Sequence, residues 1–224
     1  MSRLSEPERK HHRKSLPREC FEALILAVIV TLFLRTFVVQ AFQIPSVSME
    51  PSLLVGDRLF VDKLVYSPSL GALEQILLAK RAVARGDVVV FKAPGDPARN
   101  FVKRVVALPG ETVEVRGQRV LVDGRPIEEP YAHFGAPELP PDHPDYGLRW
   151  ERTLEDRGPR QVPREQFFVL GDNRDWSSDS RFWGCLPRNR IEGQALLIYW
   201  SAGGEAGPDR ARTLRWERVF RPVR

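Results

Sequence analysis

One apolar run near the N-terminus constrains this chain more than any other feature: Phe21-Glu22-Ala23-Leu24-Ile25-Leu26-Ala27-Val28-Ile29-Val30-Thr31-Leu32-Phe33-Leu34, interrupted by Arg35 and resumed by Thr36-Phe37-Val38-Val39. With its flanks the run reaches about 20 residues, or roughly 30 Å of helix, enough for the hydrocarbon core of a bilayer, and Arg35 can snorkel to the headgroups. Before it, residues 1–19 carry Arg3, Arg9, Lys10, Arg13, Lys14 and Arg18 against Glu6, Glu8 and Glu19, with no apolar periodicity. Positive charge ahead of the span and little directly after it predict a cytoplasmic basic tail (1–19), a single transmembrane anchor (20–42) and an extracytoplasmic domain (43–224) in the plasma (inner) membrane. A basic start, a short apolar stretch and Val39-Gln40-Ala41 also fit, loosely, a signal peptide that is cut away.

Beyond the anchor the pattern changes from long apolar runs to short ones. Arg58 to Lys63, Val88 to Phe91, Val102 to Ala107, Thr112 to Arg116, Arg119 to Val122, Gln166 to Leu170 and Ala195 to Trp200 read as strands, with an Asp123-Gly124 turn after the fifth. Gly71 to Arg85 has Leu73, Ile76, Leu77 and Val83 at helix-like spacing and reads as a short amphipathic helix. Residues 128–163 shift to Pro, Glu, Asp and Arg and read as a loop-rich insert or subdomain of the domain that follows the anchor. The expectation is a mostly-β fold: an N-terminal transmembrane helix followed by an antiparallel β domain with one short helix.

Several chemistries are set aside by composition. The net charge of +5 suggests nucleic acid, yet the basic residues are spread along the chain and no DNA- or RNA-binding pattern is present, so a membrane-lipid surface is the expected anionic partner. The two cysteines, Cys20 and Cys185, cannot form a zinc site, and one lies at the membrane boundary, so no disulfide is expected. Asp172-Asn173-Arg174-Asp175 has arginine at the third ligand position of a calcium loop and lacks its glycine and distal glutamate. No metal and no cofactor are expected, and nothing calls for an oligomer. His11 and His12 sit in the tail and His133 and His143 in the insert, which leaves no histidine for a Ser-His-Asp triad.

A serine can still be activated by another base. Ser48 lies in the polar turn Gln43-Ile44-Pro45-Ser46-Val47-Ser48-Met49-Glu50-Pro51, where a serine commonly does no more than cap a turn. Lys103 lies in Phe101-Val102-Lys103-Arg104-Val105-Val106, where burial would lower its pKa and make the neutral amine accessible. Strand alternation puts Lys103 and Arg104 on opposite faces, so one of them must face inward or line a cleft; periodicity leaves open which.

Together with the unbroken block Gly171-Asp172-Asn173-Arg174-Asp175-Trp176-Ser177-Ser178-Asp179-Ser180-Arg181, these segments resemble the bacterial type I signal peptidases, serine proteases with a Ser/Lys dyad. Ser48-Met49-Glu50-Pro51 matches the nucleophile motif. Lys103-Arg104-Val105-Val106-Ala107-Leu108-Pro109-Gly110 matches the general-base block. The likeness runs from about Arg35 to Trp200 and is lost in both tails. It implies a Ser48 nucleophile and a Lys103 general base, with Ser46 and the Ser48 N–H in the oxyanion hole and Ser177 orienting the Lys103 amine. It further implies an Asp179–Arg181 ion pair as support, and shallow pockets for small side chains lined by Ile44, Pro45, Met49, Leu53, Phe101 and Val102. The implied substrates are signal peptides of exported preproteins, cleaved at small-x-small sites. A specialised conjugation or pilus peptidase with the same dyad, and a membrane-tethered domain that binds without catalysis, are the alternatives. One convincing span and two cysteines too far apart in sequence for an internal disulfide depart from the best-known two-span members, and neither departure touches the dyad.

Overall fold

The computed structural model describes residues 16–33, 39–67, 80–135, 157–203 and 213–224. Helix α1 (Leu16–Phe33) carries the apolar run. It begins inside the segment expected as tail, and its side chains are exposed, among them Phe21, Leu24, Leu26, Ile29 and Leu32. Arg18, Glu19 and Glu22 fall within its 18 residues, and among the described residues no helix is long and apolar enough to cross a membrane. The expected anchor of 20–42 also ends too late. Val39–Gln43 is not helical but forms strand β1, because its residues find a ladder partner in the chain that returns after the Ser48 turn.

The strands that follow are β2 (Asp57–Asp62), β3 (Val88–Ala93), β4 (Asp96–Ala107), β5 (Thr112–Arg116), β6 (Arg119–Val122), β7 (Arg125–Pro126), β8 (Arg157–Gln161), β9 (Gln166–Leu170), β10 (Leu186–Pro187), β11 (Ile191–Gly203) and β12 (Thr213–Leu214). They form a mostly antiparallel domain of two sheets, one ordered β1-β2-β11-β3-β4-β9-β10 with β12 beside β11, the other β7-β6-β5-β8. Burial along β2 alternates, with Asp57, Leu59 and Val61 inside and Arg58 and Phe60 outside, as a strand covered on one face requires. β3 is apolar without alternation because both its faces are covered. Val88 and Val90 pack with Leu59, Val61, Val102, Ala195 and Ile198, while Val89 and Phe91 pack with Val105, Phe167, Val169 and Leu186. A third core, Val106, Val113, Val115, Val120, Val122, Phe168 and Leu170, joins the two sheets. The β6–β7 hairpin turns at Asp123 and Gly124, both at positive φ, the conformation that favours Asp-Gly there.

Two further expectations need correction. Residues 80–84 have no regular structure, and Val83 is buried by packing against Phe91 and Leu186 rather than by a helical stripe; the rest of the expected helix, 71–79, lies outside the described residues. The insert is not wholly an excursion. Its last part forms β8 on β5, and its first part lies against the 171–175 loop, with His133 N donating to Asp172 O at 2.7 Å and Arg174 N to His133 O at 2.8 Å. Low apolar content hid both, since they are held by backbone ladders and ion pairs; residues 136–156 lie outside the described residues.

The C-terminal segment returns to pin the Ser48 turn. Buried Asp57 accepts from Leu54 N at 2.9 Å, Ser201 Oγ at 2.6 Å and Arg218 Nη2 at 2.6 Å, and Arg218 also donates to Ser52 O at 3.0 Å. Leu59→Ala, which removes a wholly buried side chain from the core that carries this turn, should lower stability by about 3 kcal/mol in equilibrium urea unfolding, whereas Phe60→Ser on the outer face should cost under about 1 kcal/mol.

Candidate active site

Ser48 sits in a short 3-10 turn, Val47–Met49, closed by Glu50 N donating to Val47 O at 3.1 Å. The turn is held from below by Val47 and Met49, which are buried, and from the side by Asn173 N, which donates to Ser48 O at 3.2 Å. Ser48 is left 8% exposed. Its Oγ lies 3.3 Å from Ser46 Oγ and accepts a hydrogen bond from Lys103 Nζ at 2.7 Å.

Lys103 reaches this point from the middle of β4, paired across the ladder with Val89 on the doubly covered strand β3. It is 4% exposed. Its Nζ also donates to Val102 O at 3.0 Å and lies 5.5 Å from the centre of the Phe101 ring. Burial lowers its pKa to about 8, against the pull of Asp179 and Asp172, which favour the charged form; Arg181 adds to the lowering. The amine is therefore neutral in a useful fraction of molecules near neutral pH, and no acid or base other than Lys103 is hydrogen-bonded to Ser48 among the described residues.

The 171–181 segment packs behind the pair as a polar wall whose charges are buried and matched. Arg104, on the opposite face of β4 from Lys103, is 1% exposed and holds Asp172 through Nε at 2.8 Å and Nη2 at 2.6 Å. Both residues of the Lys103-Arg104 pair are thus inside, which alternation had left open: one ends on Ser48, the other on a carboxylate. Asp179 and Arg181 form a second buried pair at 2.8 Å, and Asp179 also accepts from Gly171 N. Glu129 and Arg174 form a third, at 2.6 Å. Ser177 is buried with its Oγ lacking any partner, so the hydrogen bond to Lys103 implied by the resemblance is not present in this structure. Its position is fixed by Gly171, where a Cβ would stand 2.5 Å from Ser48 O and closer still to Ser177 Oγ.

In front of the pair is a cleft of about 510 Å³ lined by Ile44, Pro45, Ser46, Met49, Phe101 and Val102 together with Phe42, Val47, Arg99, Asn100, Trp176 and Ser178. Leu53, expected among the lining residues, is instead wholly buried in the core and does not reach the cleft. A buried serine hydroxyl bonded to a desolvated amine, with open space on one side, has the geometry for nucleophilic attack on an acyl carbon.

Residues 17–200 match the family model described as "Signal peptidase, peptidase S26". The chain belongs to this family. It is 41% identical to the signal peptidase I of Leptolyngbya laminosa over 199 residues, covering 85% of this chain and 84% of that one. It is 35% identical to the signal peptidase I of Aquifex aeolicus over 226 residues, covering 80% and 82%. A solved signal peptidase I from Enterococcus faecalis is 28% identical, covers 51% of this chain and 97% of its own, and aligns with a TM-score of 0.38.

The residues of this family member that sequence reasoning missed are Arg104, Asp172, Glu129, Arg174, Tyr131, Asn100 and Trp176. The signal for Arg104 was present, since a charged residue in an apolar strand must find a partner or a cleft. Glu129 and Tyr131 gave none, because they stand in the polar stretch read as an insert. Gly171→Ala should leave the chain folded but push the Ser48 turn and Ser177 apart. If Ser48 is a reacting group, a shift of that size lowers kcat about a hundredfold, to be checked by steady-state peptidase assay alongside circular dichroism.

Proposed function

We propose that Ser48 and Lys103 are the nucleophile and general base with which this signal peptidase family member removes N-terminal signal peptides from exported preproteins at small-x-small sites. The observation that carries the reading is the 2.7 Å contact between Lys103 Nζ and Ser48 Oγ at the buried end of the cleft. When Lys103 is neutral the hydrogen bond reverses and Ser48 Oγ–H donates to Nζ. As Oγ attacks the scissile carbonyl carbon, its proton passes to Lys103 and the carbonyl oxygen becomes an oxyanion. Ser46 Oγ, 3.3 Å from Ser48 Oγ, and the Ser48 N–H are the donors assigned to that oxyanion. Collapse breaks the C–N bond, Lys103 gives its proton to the departing amine, and Ser48 is left acylated by the signal peptide. Water, deprotonated by neutral Lys103, then attacks the ester and frees Ser48. Ser177, whose buried hydroxyl has no other partner, is assigned to orient the amine.

Substrate binding follows from the edge of β4. On β4, β9 pairs with Arg104, Val105 and Ala107, so among the described residues the stretch before Arg104 has no strand on that edge beside the cleft, and an extended preprotein can add there as a strand. The walls are side chains already committed to packing, Ile44 and Met49 at 2% and 1% exposure, which leaves room for small residues only.

The same proposal places α1 in the membrane with the basic tail on the cytoplasmic side and the catalytic domain outside. Its support is the exposed apolar surface of α1 and an aromatic outer face on the sheet that follows: Phe60 stacks on Tyr199 at 4.4 Å, Trp200 meets Trp216 at 6.3 Å, and Phe220 is 75% exposed. Aromatic rings with arginines such as Arg58 and Arg221 nearby suit the headgroup region.

The kcat/KM for a preprotein with an Ala-x-Ala site should rise with pH through about 8 and fall below it by about tenfold per unit, because the proton that inactivates belongs to the base. Ser48→Ala and Lys103→Arg should both be folded and lose nearly all turnover, since arginine keeps the charge and never releases the proton. Retention of more than about a tenth of wild-type kcat in Lys103→Arg, a deficit of only ~1.4 kcal/mol, removes Lys103 as the base.

The membrane assignment has its own check. In vesicles of brominated anionic lipid the tryptophan fluorescence of the full chain should be quenched, Trp216→Ser should remove part of that quenching, and cleavage of a soluble peptide should stay intact. Quenching unchanged by Trp216→Ser removes the aromatic face from the contact.

A further inference from the structure

We propose that the indole of Trp176 forms one wall of a further subsite in the cleft, which takes an apolar side chain from the first two residues after the scissile bond. The inference rests on the dyad reading above and deepens it by naming what the departing half of the substrate meets.

Trp176 is a half-buried ring that belongs to no core. It lines the cleft together with Ser178, yet it joins none of the three hydrophobic clusters. The other described tryptophans are packed: Trp183 lies 5.8 Å from Phe91, and Trp200 and Trp216 meet at 6.3 Å. Among the described residues no ring and no cation is paired with the Trp176 indole. An indole carries a large apolar surface, and the part left open in a cleft is stabilised by a ligand group that takes it out of water.

The ring stands on a rigid support. Its 3-10 turn, Arg174–Trp176, is tied at successive positions: Asn173 N donates to Ser48 O at 3.2 Å, Arg181 Nη2 to Arg174 O at 2.7 Å, and Gly135 N to Asp175 Oδ2 at 2.8 Å. Trp176 N closes the turn on Asn173 O at 3.2 Å. A wall fixed in this way loses little freedom when a ligand meets it.

The order of residues along β4 decides which half of the substrate reaches the ring. Phe101 and Val102, assigned to the pockets for small residues before the scissile bond, precede Lys103 on the strand, and β9 takes over the edge at Arg104, which pairs with Leu170. A substrate strand laid along Phe101 and Val102 therefore runs out of free edge just past Lys103. It must leave over the segment that follows β9, and the residues of that segment that line the cleft are Trp176 and Ser178. The two sides then select differently. Ile44 and Met49 have almost no free surface and admit small residues, whereas the open indole is covered by an apolar side chain.

The test is a panel of peptides that share an Ala-x-Ala site and differ only in the first or second residue after it, with leucine, phenylalanine or serine there, cleaved by the full chain. Wild type should cleave a leucine or phenylalanine peptide, at one of the two positions, with a kcat/KM about fivefold above that of its serine counterpart. Trp176→Ala should bring that ratio to within about twofold, and Trp176→Phe should restore most of it. A tryptophan that only supports the loop predicts something else: kcat/KM lowered by one factor for every peptide with the ratio kept, and that result overturns the proposal. So does a wild-type chain with no preference after the cut, which needs no variant to fold, and so does a preference that changes with Trp176 only for residues before the cut. Turnover retained by Ser48→Ala or Lys103→Arg would instead sink the dyad. Inactive dyad variants together with a preference that ignores Trp176 sink only the subsite.

Discussion

The 2.7 Å bond between Lys103 and Ser48 imposes the condition that the surrounding structure has to meet. An ordinary lysine holds its proton with a pKa of about 10.4 and is a poor base at neutral pH, so the amine must be taken out of water. A flexible side chain at a surface cannot be. Placing Lys103 in the middle of β4, beside a strand buried on both faces, removes it from solvent through the packing of Val89, Phe91 and Val105 together with the Phe101 ring at the cleft. The site is desolvated by the fold.

Asp172 and Asp179 of the polar wall pull the proton back to Lys103, and burial outweighs them. The wall cannot dispense with them: Asp179 receives Gly171 N, and Asp172 anchors the arginine that fills the other face of β4. Each carboxylate is paired with a buried arginine, Asp172 with Arg104 and Asp179 with Arg181, which compensates its own burial. The pairing also explains why the 171–181 segment is so dense in charge yet almost inaccessible, with Asp172, Arg174, Asp179 and Arg181 all buried. Gly171 is the point where this wall meets the Ser48 turn, and there the backbones approach too closely for any side chain.

Sequence made the repeating parts of the fold legible. β2, β5, β6 and β9 stand within a residue of where alternation or apolar runs put them, because a half-covered or fully covered strand leaves its period in the residue pattern. β1 was not legible: apolar and adjacent to the long run, Val39–Phe42 has nothing local to separate the end of a helix from the start of a strand, and its pairing with β2 is set by a turn of the chain around Ser48. β8 and the 129–133 stretch were hidden for a different reason. They are polar, and what holds them is a ladder to β5 and the Glu129–Arg174 pair, contacts between residues far apart in sequence that leave no periodic trace. Ser48 and Lys103 were legible as candidates only through the company they keep in the chain. Which of Lys103 and Arg104 turned inward was not, and the answer, both, depends on Asp172 arriving from residues 68 positions away.

A buried amine of this kind works against the stability of the domain that holds it. Lys103 has a folded-state pKa of about 8, below the value of about 10.4 expected for the unfolded chain, so between those pH values the unfolded state binds more protons. Stability contributed through this group therefore rises with pH across that window, and below it the cost of keeping the amine buried is present in full. The cost falls on a position flanked by three separate cores, with the Ser48 turn fastened from the far end of the chain by Arg218 through Asp57 and Ser52. That fastening uses residues after the last match to the family model, which ends at residue 200. Arg218, beyond the end of that match, is thus coupled directly to the turn that carries Ser48.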